Sequence, residues 1–276
     1  MEELNNKQNV PEEVIDNSVD ESVNKEDAAK SEPEVTLEIN GLKKKYINNK
    51  RYSINDLTLH IRAGEIFGFL GQNGAGKSTT IKCITGIHPY DEGQIVICGH
   101  DMKTDPIGAK KNIGYVPDNH SVYEKLTGRE YVNYIADLYG VPLDEREERM
   151  NRYLKMFKIT FAVDRQIKGY SHGMKQKICI IAALIHNPRL WVLDEPMVGL
   201  DPQSMFDIID EMKEHTAAGN TVFFSSHNID LVSKLCDRVA IIHDGELKRL
   251  IDLHEEGTRE TLEQVFRSLT MAENKA

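Results

Sequence analysis

The chain has 276 residues, with 40% hydrophobic and 28% charged side chains, so it can bury a substantial core. No apolar run approaches the ~18 residues that a membrane span needs, and the acidic, polar start Met1-Glu-Glu-Leu is unlike an export signal. The net charge of −10 is uneven: residues 1–34 carry −8 and the remainder −2. Neither part has the basic face of a nucleic-acid binder, and four scattered cysteines argue for reduced thiols rather than disulfides or zinc.

Residues 1–34 have no aromatic side chain and few large apolar ones, and read as a disordered, acidic extension. From Val35 the pattern changes. Val35, Leu37 and Ile39 alternate with polar residues, as do Ile54, Leu57, Leu59 and Ile61 less regularly, giving two strands around a turn at Asn48–Arg51. Ile66 to Leu70 is a short apolar run of the buried parallel kind. Directly after it stands Gly71-Gln72-Asn73-Gly74-Ala75-Gly76-Lys77-Ser78-Thr79, a complete G-x-x-x-x-G-K-[ST] phosphate loop opening a helix. Its glycines let backbone N–H groups close around a polyphosphate. The lysine reaches the β- and γ-phosphates, and the serine hydroxyl can ligate Mg²⁺.

Ile95–Ile97 and Ile113–Val116 are further strands, the second ended by Pro117. Thr127-Gly-Arg-Glu130 is a capping box that starts a helix to about Gly140, with Tyr131, Ile135, Leu138 and Tyr139 as its apolar face. A second helix starts near Asp144, and Ser171 caps a third running to Ile185. Residues 118–186 thus read as a helical insert within a domain spanning 35–276. Leu190–Leu193 is a strand running into Asp194-Glu195, Met205–Lys213 a helix, and Thr221–Phe224 a strand ending at Ser225-Ser226-His227. A helix over Ile229–Leu235, a last strand over Val239–Ile242 and a short terminal helix follow, with no internal repeats. Strands alternating with helices predict an α/β, doubly wound parallel core with an antiparallel β subdomain before it.

Two adjacent carboxylates after an apolar strand repel one another, and a metal or a water-activating role offsets that repulsion. A histidine closing a strand at the C-terminal edge of such a sheet stands where ligands bind. The order of phosphate loop, Tyr170-Ser171-His172-Gly173-Met174, Leu190–Glu195, Gly199-Leu200-Asp201 and His227 resembles the nucleotide-binding subunit of ATP-binding-cassette (ABC) transporters, over about residues 35–270. The resemblance implies a P-loop NTPase (RecA-like) fold and transport-coupled ATP hydrolysis with ATP and Mg²⁺. It implies that Tyr46 stacks on adenine, with Tyr52 as the rival aromatic. It makes Gly71–Thr79 the Walker A loop, Asp194 the Walker B metal acid and Glu195 the catalytic carboxylate. It also makes His227 the histidine at the γ-phosphate, Ser171 and Gly173 contacts to ATP on the opposite subunit, and Asp201 part of the bridge between subunits.

The sequence departs from the family twice. Its signature reads Tyr-Ser-His-Gly-Met where the family has Leu-Ser-Gly-Gly-Gln, and Asp118 stands where the family places a glutamine after its strand, still able to reach Mg²⁺ through water. The implied partners are a second ATP-binding subunit, in a homo- or heterodimer, and a separate polytopic membrane subunit docking near Asp118–Glu130. That puts the chain in the cytoplasm, peripheral on the inner face of the membrane, and its motifs most resemble exporters of drugs, antibiotics or peptides. The rivals are a soluble ABC ATPase acting on DNA or ribosomes, and a regulatory module that holds ATP without turnover.

Overall fold

The computed structural model describes residues 34–47, 49–119, 122–255 and 257–273. The expected disordered extension therefore lies outside the described residues, apart from Glu34. β1 (Val35–Lys44) and β2 (Ile54–Arg62) pair antiparallel, with Leu37 opposite Ile61 and Ile39 opposite Leu59. All four side chains are buried, as a sheet covered on one face requires. β3 (Ile66–Leu70) is buried at every position and leads through the phosphate loop into α1 (Lys77–Ile84). β4 (Glu92–Ile97) turns back to pair antiparallel with β1, and β5 (His100–Asp101) extends it, giving a sheet of order β2-β1-β4-β5.

α2 (Pro106–Lys111), capped by Asp105, precedes β6 (Ile113–Val116). Then come α3 (Gly128–Leu138), α4 (Leu143–Met156) and α5 (His172–Leu184), all before β7 (Leu190–Asp194). The capping box at the start of α3 is closed in both directions: Glu130 N donates to Thr127 Oγ1 at 3.1 Å, and Thr127 N donates to Glu130 Oε2 at 2.8 Å. The buried face of α3 is Val132 and Ala136, whereas Leu138, expected inside, is exposed. Tyr131, Ile135 and Tyr139 pack against the core as expected but are only partly buried, because they also border a groove of about 430 Å³. α6 (Pro202–Ala217), β8 (Thr221–Ser226), α7 (Ile229–Leu235) and β9 (Arg238–His243) follow.

The strand expected to be last is not. β10 (Glu246–Asp252) doubles back antiparallel on β9, and α8 (Thr258–Glu273) comes after it. The hairpin turn is Asp244-Gly245, with φ of 50° and 76°, and Asp-Gly is the dipeptide that a turn with two positive φ angles selects. The second sheet has the order β10-β9-β3-β8-β7-β6 and is parallel except for β10. One apolar core lies against α3–α6 and includes Trp191, which is fully buried with its ring edge-on to His215 at 5.8 Å. The other joins the two sheets through Phe67, Phe69 and Phe223, with Phe67 and Phe223 stacked at 6.0 Å. In the register of the second sheet Asp194 is opposite Ser225, and Ser226 opposite Leu70, so the C-terminal ends of β3, β7 and β8 open on one edge.

Arg152 of α4 pairs with both Glu211 and Glu214 of α6. Glu211, only 2% exposed, receives Arg152 Nη2 at 2.9 Å and the Tyr153 hydroxyl at 3.2 Å. Burial raises the Glu211 carboxyl above its ordinary pKa, and the Arg152 charge opposes that. Arg152→Ala is expected to cost about 1–3 kcal/mol, because it leaves a buried carboxylate short of a partner. A carboxyl whose folded pKa is raised binds more protons folded than unfolded, so its folded state loses stability as pH rises through that window. The deficit should be larger at pH 8 than at pH 5.5; equal chemical-denaturation midpoints for variant and parent at pH 8 would refute this.

Candidate active site

The phosphate loop is held in shape by its own backbone. Gly76, at φ 108°, brings the loop so close to Ser53 that a Cβ there would lie 2.5 Å from the Ser53 carbonyl oxygen, so only glycine fits. Gly71 N donates to Ser226 O, Ala75 N to Gln72 O, and Gly245 N to Ala75 O. Lys77 is 6% exposed; its Nζ donates to Gly71 O at 2.7 Å and Gln72 O at 3.1 Å, and lies 3.4 Å from Glu195 Oε1. A cavity of about 270 Å³ opens here, lined by the loop from Gln72 to Thr79 except Ala75, together with Asp118 and Glu195.

β7 and β8 supply the acids and the histidine. Asp194 is 1% exposed. Burial raises its carboxyl above the ordinary pKa, the Ser225 and Ser78 hydroxyls pull it back, and the Asp118 and Glu195 charges raise it further. Glu195 takes φ 49°, an uncommon conformation for a residue with a Cβ, and turns its carboxylate between the Lys77 ammonium and the His227 ring. Besides Lys77, His227 Nδ1 stands 3.0 Å from both Glu195 oxygens. The carboxylate can only accept, so Nδ1 carries the proton. The fold thus gathers Lys77, Ser78, Asp118, Asp194, Glu195 and His227 at one sheet edge.

The remaining predicted residues stand apart from that cavity. Ser171 caps α5, accepting from Met174 N at 3.3 Å, and Gly173 faces Leu200 and Gly199 across ordinary contact distances. Asp201 caps α6, accepting from Ser204 N at 3.0 Å and from the Ser204 hydroxyl. Those hydrogen bonds hold its carboxyl below the usual range. The His172 ring packs on Gly199, whose φ of 77° favours glycine. Gln176, 1% exposed, donates from α5 to the Pro196 carbonyl, tying the start of that helix to the turn after Glu195. Tyr46 stands edge-on to His88 at 5.9 Å. Tyr52 instead lines a 410 Å³ groove beside Gly74 and Gly245. The sequence alone assigns no role to Ser225 or Gln176, since each stands among other polar residues, Ser226 and His227 for the first and Lys175 and Lys177 for the second.

A phosphate loop, a buried acid pair and a histidine at the C-terminal edge of a parallel sheet define a P-loop ATPase. The family model described as "ABC transporter" matches residues 54–198. The linearmycin resistance ATP-binding protein LnrL of Bacillus subtilis is 38% identical over 211 residues, covering 76% of this chain and 67% of the relative. The chain belongs to the ABC transporter family, as an ATP-hydrolysing, ATP-binding subunit. A solved ATP-binding subunit of an ABC transporter is 30% identical, with a TM-score of 0.79, covering 84% of this chain and 99% of that one. A dimeric ATP-binding cassette in a post-hydrolysis state, bound to ADP and Pi, is 25% identical, with a TM-score of 0.72, covering 79% and 98%. Among the described residues no helix is long and apolar enough to cross a membrane.

Proposed function

We propose that this chain is the motor of an exporter, closing with a second ATP-binding subunit around two ATP molecules and driving a separate membrane subunit. The observation that carries this is the placement of Glu195, which lines the phosphate-loop cavity with Lys77 and lies 3.0 Å from His227. In this reading loop N–H groups and Lys77 hold the β- and γ-phosphates, and Glu195 orients a water in line with the γ-phosphate. His227 stabilises charge developing there. Ser171 and Gly173 are displayed for the ATP held by the other subunit, and Asp201 for the contact between subunits. Tyr46 is the adenine platform by resemblance, while the position of Tyr52 beside Gly74 favours the rival.

Magnesium fits the same place. Asp194 Oδ2 is buried with no hydrogen-bond partner, and Ser78 is near enough to act on that carboxyl. Magnesium takes one or two carboxylates plus phosphate oxygens rather than an all-protein cage. Ser78 and Asp194 would hold it, with Asp118 through water. When bound, it would neutralise charge on the β- and γ-phosphates.

The membrane subunit is assigned to the apolar groove of Tyr131, Ile135 and Tyr139, which begins at Pro117 and Asn119, beside the expected docking region. In this reading the chain works on the cytoplasmic face of a membrane, held there by its partner. Export follows the resistance function in the name of the Bacillus relative. The test is a pull-down of tagged Glu195→Gln protein from mild detergent extracts with ATP present. A co-purifying polytopic membrane protein is expected; recovery with only ribosomal or DNA-bound partners would overturn the transporter assignment.

A further inference from the structure

Every residue of β8 is buried. A serine at such a position loses water, and leaving its hydroxyl unpaired there is destabilising. Ser225, at 0% exposure, has its needs met by the two residues that carry the chemistry. Glu195 N–H donates to Ser225 Oγ at 3.1 Å, and Ser225 Oγ lies 2.6 Å from Asp194 Oδ1. A serine hydroxyl has one proton. Because the Glu195 amide is a donor, the Ser225 oxygen accepts there, and its proton goes to Asp194.

We infer that Ser225 is a positioning residue of the ATPase, one hydroxyl fixing both the Asp194 carboxylate and the backbone of Glu195. The inference rests on the reading of Asp194 as the metal acid and Glu195 as the hydrolytic carboxylate. On the Asp194 side, holding Oδ1 settles which oxygen remains: Oδ2, buried and without a protein partner, on a carboxylate that also feels Ser78. On the Glu195 side, the left-handed turn at φ 49° is unfavourable for a residue with a Cβ. The bond from its N–H to Ser225 offsets that cost and aims the side chain at Lys77 and His227. Ser226, next in the strand, accepts from Asn228 N at 3.0 Å instead, so it serves as a control.

The test compares Ser225→Ala, Ser225→Thr and Ser226→Ala in the full chain, reading kcat and KM for ATP. It also reads melting temperature and the binding of a fluorescent ATP analogue in EDTA and across a magnesium titration. Ser225→Ala is expected to lower kcat at least about tenfold. It should raise the magnesium concentration for half-maximal nucleotide binding at least about threefold, with metal-free affinity held within about twofold. Ser225→Thr, which keeps the hydroxyl, should recover most of kcat, and Ser226→Ala should leave the magnesium requirement unchanged. Wild-type kcat and magnesium dependence in Ser225→Ala would overturn the inference. So would metal-free affinity and melting temperature falling in step with kcat without recovery by threonine, since that is the signature of lost packing. Failure of the unsubstituted chain to hydrolyse ATP with magnesium would remove the underlying reading instead.

Discussion

Glu195→Gln is expected to bind ATP as the parent does and to hydrolyse it at least about tenfold more slowly. The Glu195 carboxylate has two partners, the Lys77 ammonium at 3.4 Å and the His227 ring at 3.0 Å, in a turn fixed through its backbone. Glutamine has nearly the same shape and can still accept from His227, so the turn should survive. Its neutral amide is a poor acceptor for the proton of an attacking water, so the loss should fall on kcat. Phosphate release and fluorescent-nucleotide titration on the same preparation separate the two quantities. Turnover equal to the parent would remove Glu195 from the catalytic role.

Lys77→Ala should fail earlier in the cycle. The lysine ammonium is the donor for the carbonyls of Gly71 and Gln72 and the nearest cation to Glu195. Its loss leaves those carbonyls short of a partner and removes the positive charge from the phosphate site. ATP affinity is expected to fall at least about tenfold, or ~1.4 kcal/mol, with hydrolysis at background. The contrast with Glu195→Gln is informative: one variant loads without turning over, the other does not load. A Lys77→Ala protein with an unchanged melting profile and parental ATP affinity would refute the assignment.

The site was legible in the sequence where chemistry dictates residue type at fixed spacing. The phosphate loop needs its glycines and lysine in order, and the acid pair ends a strand. The capping box at Thr127 and the cap at Ser171 could likewise be read, because each uses a side-chain oxygen three residues before the amide it accepts from. What escaped depended on pairing across the chain. β4 joins β1 across about fifty residues, and nothing local in Glu92–Ile97 states that partner. β10 could have been read from Asp244-Gly245, but Lys248 and Arg249 break its alternation, as edge strands permit. On α3 only Leu138 was misplaced, because helical periodicity gives the residues that share a stripe but not how far along it the core extends. Ser225 was invisible as a partner of Asp194 because only the parallel register of β7 and β8 sets them side by side.

The buried indole of Trp191 has a practical consequence for spectroscopy. It is the only tryptophan in the chain and lies three residues before Asp194 on the same strand. Intrinsic emission excited at the red edge of tyrosine absorption therefore reports one location, the strand that carries the acid pair. The neighbouring His215 ring is kept neutral by burial, its pKa pushed down to about 4, so protonation of that quencher does not distort the signal between pH 6 and 8. A blue-shifted baseline that holds through nucleotide titration and collapses on denaturation would give each variant above a built-in check of its catalytic strand, with no label attached.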